Sequence, residues 1–313
     1  MGHPTRLAQS LRLSQLRLIA AIDRHRQIGN AAQMLGITQP AASRSLAEIE
    51  RIAGVPLFDR HPRGMTPTPA GEVFARRAQL MLTGLTDLGR ELDELQGGLT
   101  GIVRVGAVTG PALACVVPAL RRLKAAAPRV EVAVEVEPSA RLLAALEDGD
   151  LDFLLARVPP GHAAEHLRVE PALREIVRCL VRADHPLAGR EGVAMAEIAA
   201  YPWVLQDRGA PIRQAVEQAL WDEGLAPPAD VTASASQMLA LAMAVQGDAI
   251  CPMSHEVARL FETLGGAGLT TLDLARPIEL SPCHLVSMAS RQLSPAAERL
   301  MSLIRDEIAG LAV

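Results

Sequence analysis

Gln39, Pro40, Ser43 and Arg44 fall on one side of a short helical pattern, and their chemistry suits the edges of nucleic-acid bases. A glutamine amide presents a donor and an acceptor together, matching adenine, and a guanidinium matches guanine in a fork, while a small serine lets a helix come close. The sequence positions this face. In residues 28–36 the apolar stripe Ala31, Ala32 and Leu35 ends at Gly36, where a helix must stop and turn with positive φ. Thr38 can cap the next helix, and Pro40 sits in its first turn, where a missing N–H costs nothing. Ala42, Leu46 and Ile49 would face the core, leaving the polar set and Ala47 outside. Two helices joined by a tight turn fit a DNA major groove. The alternative is a helical hairpin inside a larger core.

The segment from Val55 to Gly71 reads as a strand, a basic turn at Gly64, a second strand and a new helix start. Arg60 and Arg63 flank that turn, where guanidinium groups can reach phosphates or the minor groove. The pattern in residues 13–24, with Leu13, Leu16, Ile19 and Ala20 on one side, supplies a helix to back the pair.

The order of these segments, with the runs Ala31-Ala32, Gln39-Pro-Ala-Ala-Ser43, Leu57-Phe58-Asp-Arg60 and Thr68-Pro-Ala-Gly71, resembles the LysR-type transcriptional regulators over essentially the whole chain. The resemblance implies a winged helix-turn-helix over residues 1–71, a dimerising linker helix over 72–96, and an effector-sensing remainder. The runs Ile102-Val-Arg-Val-Gly-Ala-Val-Thr109 and Leu151-Asp-Phe-Leu-Leu-Ala-Arg157 look nearest to the branch regulating sugar-binding-protein or protocatechuate genes.

Charge is divided along the chain in the way this implies. Net charge is −4, yet residues 1–77 hold eleven arginines against five acids, a net +6, and the remainder holds 20 basic and 30 acidic residues, a net −10. Such asymmetry is the electrostatic footprint of a DNA-binding part joined to one that does not bind DNA. Lys124 is the single lysine, a compositional bias shared by both parts. At 313 residues with 49% apolar content, two or three domains with real cores are expected. No apolar run is long enough to span a bilayer and Met1 to Leu7 holds no signal core, so a cytoplasmic location without membrane association is expected. Cys115, Cys179, Cys251 and Cys283 are scattered, which suggests buried apolar thiols rather than zinc ligands or disulfides.

From residue 70 to about 96 the pattern is helical, with Met81, Leu85, Leu88, Leu92 and Leu95 spaced as a heptad seam. Packing on a symmetry mate is the simplest use of that seam, and packing within the chain is the alternative. After the glycine-rich hinge at 96–101, strands and helices alternate: strands at 102–108, 130–136 and 151–156 around helices at 111–126 and 139–148, read as an open parallel sheet. A similar alternation follows from 174, with strands at 176–182, 203–206 and 231–235 and helices at 211–223 and 236–246. The last segment reads as a strand at 284–289 and a helix at 295–309, and the resemblance implies that the chain crosses back here, giving one effector subdomain of 102–172 plus 277–313 and a second of 173–276. The fold class expected is an N-terminal α-helical winged helix-turn-helix with a long linker helix, then an α/β two-subdomain effector domain resembling periplasmic binding proteins.

In such sheets ligands bind beyond the carboxyl ends of the strands, in the cleft between subdomains. That rule selects Thr109 and Gly110, Arg157, Arg208 beside Asp207, and Ser234 and Ser236 beside Gln237. Two arginines and a helix N-terminus suggest an anionic or hydrogen-bond-rich effector, a carboxylate, sugar or sugar acid, and aromatics at 2% argue against a stacked one. The alternatives are ion pairs of Arg157 and Arg208 with Asp152 or Asp207, and capping roles for Thr109 and the serines. No phosphate loop, dinucleotide motif, nucleophile elbow or zinc-protease motif occurs, and His162 and His166 lack a convincing third ligand, so neither enzymatic activity nor a cofactor or metal is expected. A solute-binding module and an architectural DNA binder are the other classes set aside. The expected partners are double-stranded DNA, a small-molecule effector and a second copy of the chain, with dimers pairing into tetramers implied by the resemblance.

Overall fold

The computed structural model describes residues 10–97, 101–159, 166–264 and 268–311. The chain divides into two compact units, residues 1–101 with 147–150, and residues 102–146 with 151–313.

The first unit is built on three helices, α1 (Leu13–His25), α2 (Ile28–Met34) and α3 (Gln39–Ala53). The α1 start is fixed by the Arg12 N–H donating to Gln15 Oε1 at 2.9 Å. Between α2 and α3 the chain turns through Gly36 at φ +66°, where a β-carbon would be strained. Thr38 Oγ1 accepts from the Ala41 N–H at 3.4 Å and opens α3. Leu18, Ile19, Ile22, Ala31, Ala42, Leu46 and Ile49 are essentially inaccessible and form the core of this unit.

Glu50 Oε1 accepts from the Leu57 N–H at 2.8 Å and the Phe58 N–H at 3.3 Å, seating the wing on α3. The wing is the antiparallel pair β1 (Phe58–His61) and β2 (Gly64–Pro67). Gly64 has φ +138°, and a β-carbon there would lie 2.4 Å from the Arg26 carbonyl. That same carbonyl accepts from the Met65 N–H at 2.7 Å, so wing and α1 terminus are locked by close backbone approach. The long helix α4 (Pro69–Gly97) follows.

The second unit has two subdomains. Its first sheet runs β4 (Glu131–Val136), β3 (Ile102–Ala107), β5 (Phe153–Ala156), β13 (His284–Met288), β6 (Leu167–Pro171). β3 is parallel to β4 and β5, as the alternation of these three strands with helices suggested, whereas β13 is antiparallel to both β5 and β6, so the whole sheet is mixed. The antiparallel member is the returning strand, with the C-terminal helix α11 (Pro295–Leu311) packed over the same core. One continuous helical segment spans residues 109–126 (α5), starting at Thr109, two residues earlier than the pattern suggested, and holding a π turn over Ala112–Val116. Helix α6 (Ser139–Glu147) covers the other face.

The second subdomain centres on β7 (Ile176–Arg182), flanked by β10 (Cys251–Ser254) on one side and by β11 (Leu269–Thr271) and β12 (Ile278–Glu279) on the other, all antiparallel. β8 (Trp203–Leu205) and β9 (Val231–Ala233) form a separate parallel pair. The expected repeat of the first subdomain is therefore corrected: alternation of strand and helix does not record which strands pair. Ile278 and Glu279 belong to the second sheet, so the return to the first sheet comes after Glu279 rather than at residue 277. Helices α7 (Met195–Ile198), α8 (Pro211–Asp222), α9 (Gln237–Gln246) and α10 (His255–Leu264) complete the layer. No helix among the described residues is long and apolar enough to cross a membrane.

Candidate DNA-reading face and effector cleft

Burial of Ala42, Leu46 and Ile49 fixes the rotation of α3. Gln39, Pro40, Arg44 and Ala47 are exposed on its other side and Ser43 is partly buried among them. Gln39 Oε1 lies over α2, 3.6 Å from where a β-carbon on Gly29 would be. Arg60 is exposed on β1 opposite Met65, and Arg63 is exposed in the wing turn. The six residues selected from sequence lie on the recognition helix and wing of one unit.

On α4, Met81, Leu85 and Leu88 are 56%, 49% and 50% exposed, an apolar stripe left uncovered in the single chain. The Leu92 and Leu95 side chains lie outside the described residues, as does His162.

In the second unit, Thr109 and Gly110 open α5 just beyond the end of β3, with Val108 rather than Thr109 at the capping position. Thr109 is partly buried and Gly110 fully so. A β-carbon on Gly110 would stand 2.0 Å from Glu175 Oε1 and 3.0 Å from Ser254 Oγ. The helix start thus packs directly on two polar side chains of the second subdomain. Arg157, at the end of β5, is in an ion pair, as the alternative from sequence allowed, but not with the acids named there. Its Nη2 donates to the Glu175 carboxylate, its Nε donates to the Ser281 carbonyl at 3.1 Å, and its backbone N–H donates to Ser139 Oγ at 3.2 Å. The ion pair is buried, with side-chain exposures of 11% for Arg157 and 2% for Glu175. Its partner is Glu175 and not Asp152, which pairs with Arg291 at 2.9 Å. Burial pushes the Glu175 carboxyl up from its ordinary value; Arg157 opposes this and Glu256 adds to it.

Glu175, Ser254 and Glu256 are the residues that sequence reasoning missed. Ser254 ends β10 and Glu256 is in the first turn of α10. The strand-end rule selects both once β10 is recognised. Ser254 Oγ and Glu256 Oε2 are buried without a hydrogen-bond partner.

The remaining cleft candidates form a second group. Ser236 caps α9, its Oγ accepting from the Leu239 N–H at 3.3 Å, and its own N–H donates to Ser234 Oγ at 3.1 Å. The Ser234 N–H donates to the Leu205 carbonyl at 2.8 Å, tying this turn to the end of β8. Arg208 is exposed on the turn after β8. The capping alternative thus describes Ser236, and its hydroxyl remains surface-accessible.

All four cysteines are buried and free, and burial pushes each thiol up to about 12, the state of inert apolar side chains. Among the described residues no group of His, Cys, Asp and Glu side chains could hold a metal ion.

Residues 13–72 match the bacterial regulatory helix-turn-helix proteins of the lysR family, and residues 96–309 match the LysR substrate binding domain. The HTH-type transcriptional regulator GbpR of Azospirillum brasilense is 34% identical over 301 residues, 96% of this chain and 87% of that protein. GbpR of Rhizobium radiobacter is 38% identical over 254 residues, 79% and 82% of the two chains. Among solved structures, full-length CbnR complexed with its target DNA superposes with a TM-score of 0.62 at 19% identity, covering 95% of this chain and all 100% of that one. The chain therefore belongs to the LysR family and is a ligand-responsive, DNA-binding transcriptional regulator rather than an enzyme.

Proposed function

We propose that the protein acts in the cytoplasm as a homo-oligomer that reads a two-fold-related DNA site through Gln39, Pro40, Ser43 and Arg44, holds the flanking phosphates with Arg60 and Arg63, and changes the DNA-bound oligomer when a small polar effector occupies the cleft of residues 102–313. The observation that carries the DNA reading is the recognition helix itself: buried Ala42, Leu46 and Ile49 leave the amide, hydroxyl and guanidinium on one accessible face. The uncovered stripe Met81, Leu85, Leu88, continued in sequence by Leu92 and Leu95, supports pairing of two α4 helices, with pairing of dimers into tetramers as its extension. Thr109 and Gly110, with the serines and Arg208, supply the effector contacts, and a sugar, sugar acid or carboxylate fits their hydrogen-bonding character. Effector control then requires that the ligand bind one arrangement of the oligomer better than another.

The test is binding of the purified protein to the DNA immediately upstream of its own gene against random DNA of equal length, across a salt series. Preference that persists as salt rises supports a sequence reader; equal binding that vanishes with salt leaves only phosphate attraction and sinks the proposal. Thr109→Ala should remove the effector response with DNA affinity unchanged, and an unaltered dose response removes Thr109 from the site.

A further inference from the structure

At the seam between the two effector subdomains, two buried polar side-chain atoms lack a hydrogen-bond partner. Ser254 is 3% exposed, its Oγ has no partner, and it points at the start of α5, 3.0 Å from the β-carbon position of Gly110. Glu256 Oε2 is buried without a partner in the first turn of α10, which packs against the start of α5. Glu175 is 2% exposed and its negative charge is already met by Arg157. Counting formal charges, one arginine faces two carboxylates, and Arg208, the other cation selected from sequence, is on an exposed turn. The partial positive charge of a helix N-terminus is about half an elementary charge, too little to reverse that balance.

An ionised carboxylate oxygen accepts and never donates, and a buried acceptor left unpaired is costly, so this seam favours a guest that brings hydroxyl donors. A carboxylate guest would bring further acceptors and a like charge. We infer that the effector is a neutral polyhydroxylated molecule, a sugar or polyol, whose hydroxyl groups donate to Glu256 and exchange hydrogen bonds with Ser254, and that the cleft discriminates against the corresponding sugar acid. This rests on the cleft reading above and selects among the effector classes that reading leaves open. Both orphaned atoms are inaccessible in the structure described, so the ligand enters as the subdomains part and becomes the partner they lack.

The test uses the full chain in thermal-shift and calorimetric titrations with D-glucose, D-galactose, D-xylose and D-glucitol against D-gluconate, D-galacturonate and benzoate at equal concentrations. A neutral member should bind, its acid counterpart should bind more weakly, and Glu256→Gln should weaken the neutral ligand about tenfold to hundredfold while narrowing its margin over the acid. Ser254→Ala should weaken the same ligand yet leave the ligand-free melting temperature unchanged or higher, since the lost hydroxyl made no hydrogen bond. Acids binding as tightly as sugars, no response to any neutral compound, or a neutral ligand indifferent to both substitutions overturns the inference. If an acid binds and Thr109→Ala abolishes it, the inference falls while the cleft reading stands. A bound compound indifferent to Thr109→Ala takes the cleft reading down as well.

Discussion

Replacing Gly110 with alanine separates local helix preference from tertiary packing, because the two predict opposite signs. Gly110 lies in the first turn of α5, where alanine is intrinsically better than glycine by at most about 1 kcal/mol. Its β-carbon, however, would stand 2.0 Å from Glu175 Oε1 and 3.0 Å from Glu175 Cδ and Ser254 Oγ. Carbon contacts are comfortable only near 3.5 Å, so the Glu175 oxygen must retreat by about 1.5 Å. Glu175 moves only against resistance: it is buried, held by Arg157 through its other oxygen, and close to a second carboxylate. Separating a buried ion pair so that one charge is left unpaired costs about 3–5 kcal/mol, and subtracting the helix gain leaves a net loss of about 2–4 kcal/mol. With a urea dependence of about 2 kcal/mol per molar, the unfolding midpoint should drop by about 1–2 M. Tryptophan fluorescence reports on the affected unit alone, since Trp203 and Trp221 are the only tryptophans and both lie in it. In a Glu175→Ala background the same change should be far milder, because the side chain it strikes is gone. A midpoint that is unchanged or raised by Gly110→Ala in the wild-type chain refutes the packing argument.

Arg44→Ala should cost about 1–3 kcal/mol on the specific site and relax preference at one base, whereas Arg63→Ala should weaken all DNA alike and lower the salt slope by about one unit, both read from titrations on specific and random duplexes. Equal losses on both duplexes for Arg44→Ala would remove it from the readers. The four cysteines should resist a thiol reagent in the folded protein and react fully in denaturant; fast labelling of the native chain would contradict their burial. His185 is buried with Nδ1 accepting from the Leu187 N–H at 3.1 Å and Nε2 unpartnered, and burial lowers its pKa below 6.5. The unfolded chain therefore binds the proton more readily, so this contribution to stability is present above about pH 6.5 and declines as the pH falls below it. Urea midpoints between neutral and mildly acid pH should show that decline in the wild type and less of it in His185→Asn, which keeps an acceptor toward Leu187 but does not titrate in this range. Identical pH profiles would assign the acid sensitivity to other groups.

The DNA-reading unit was legible in the sequence because its determinants are local. Helix periodicity, a threonine cap, a proline in the first turn and a glycine at positive φ each act within a few residues, and together they fix which face of α3 stays outside. Much of the order of strands and helices in the effector part was legible for the same reason, but the short strands β6, β10, β11 and β12 and the helices α7 and α10 were not. Strand pairing was not: β13 joins β5 across more than a hundred residues, and β12 pairs with β7 although it adjoins the return to the first subdomain. β10 is not among the strands read from the sequence; it holds Pro252 and ends its sheet, where a missing N–H is tolerated. With β10 unrecognised, Ser254 and Glu256 could not be placed at a strand end. The fate of Arg157 was likewise tertiary. A sequence shows that a guanidinium follows a strand, but only the folded chain brings Glu175 to it, because desolvation and pairing depend on which groups share the same buried space.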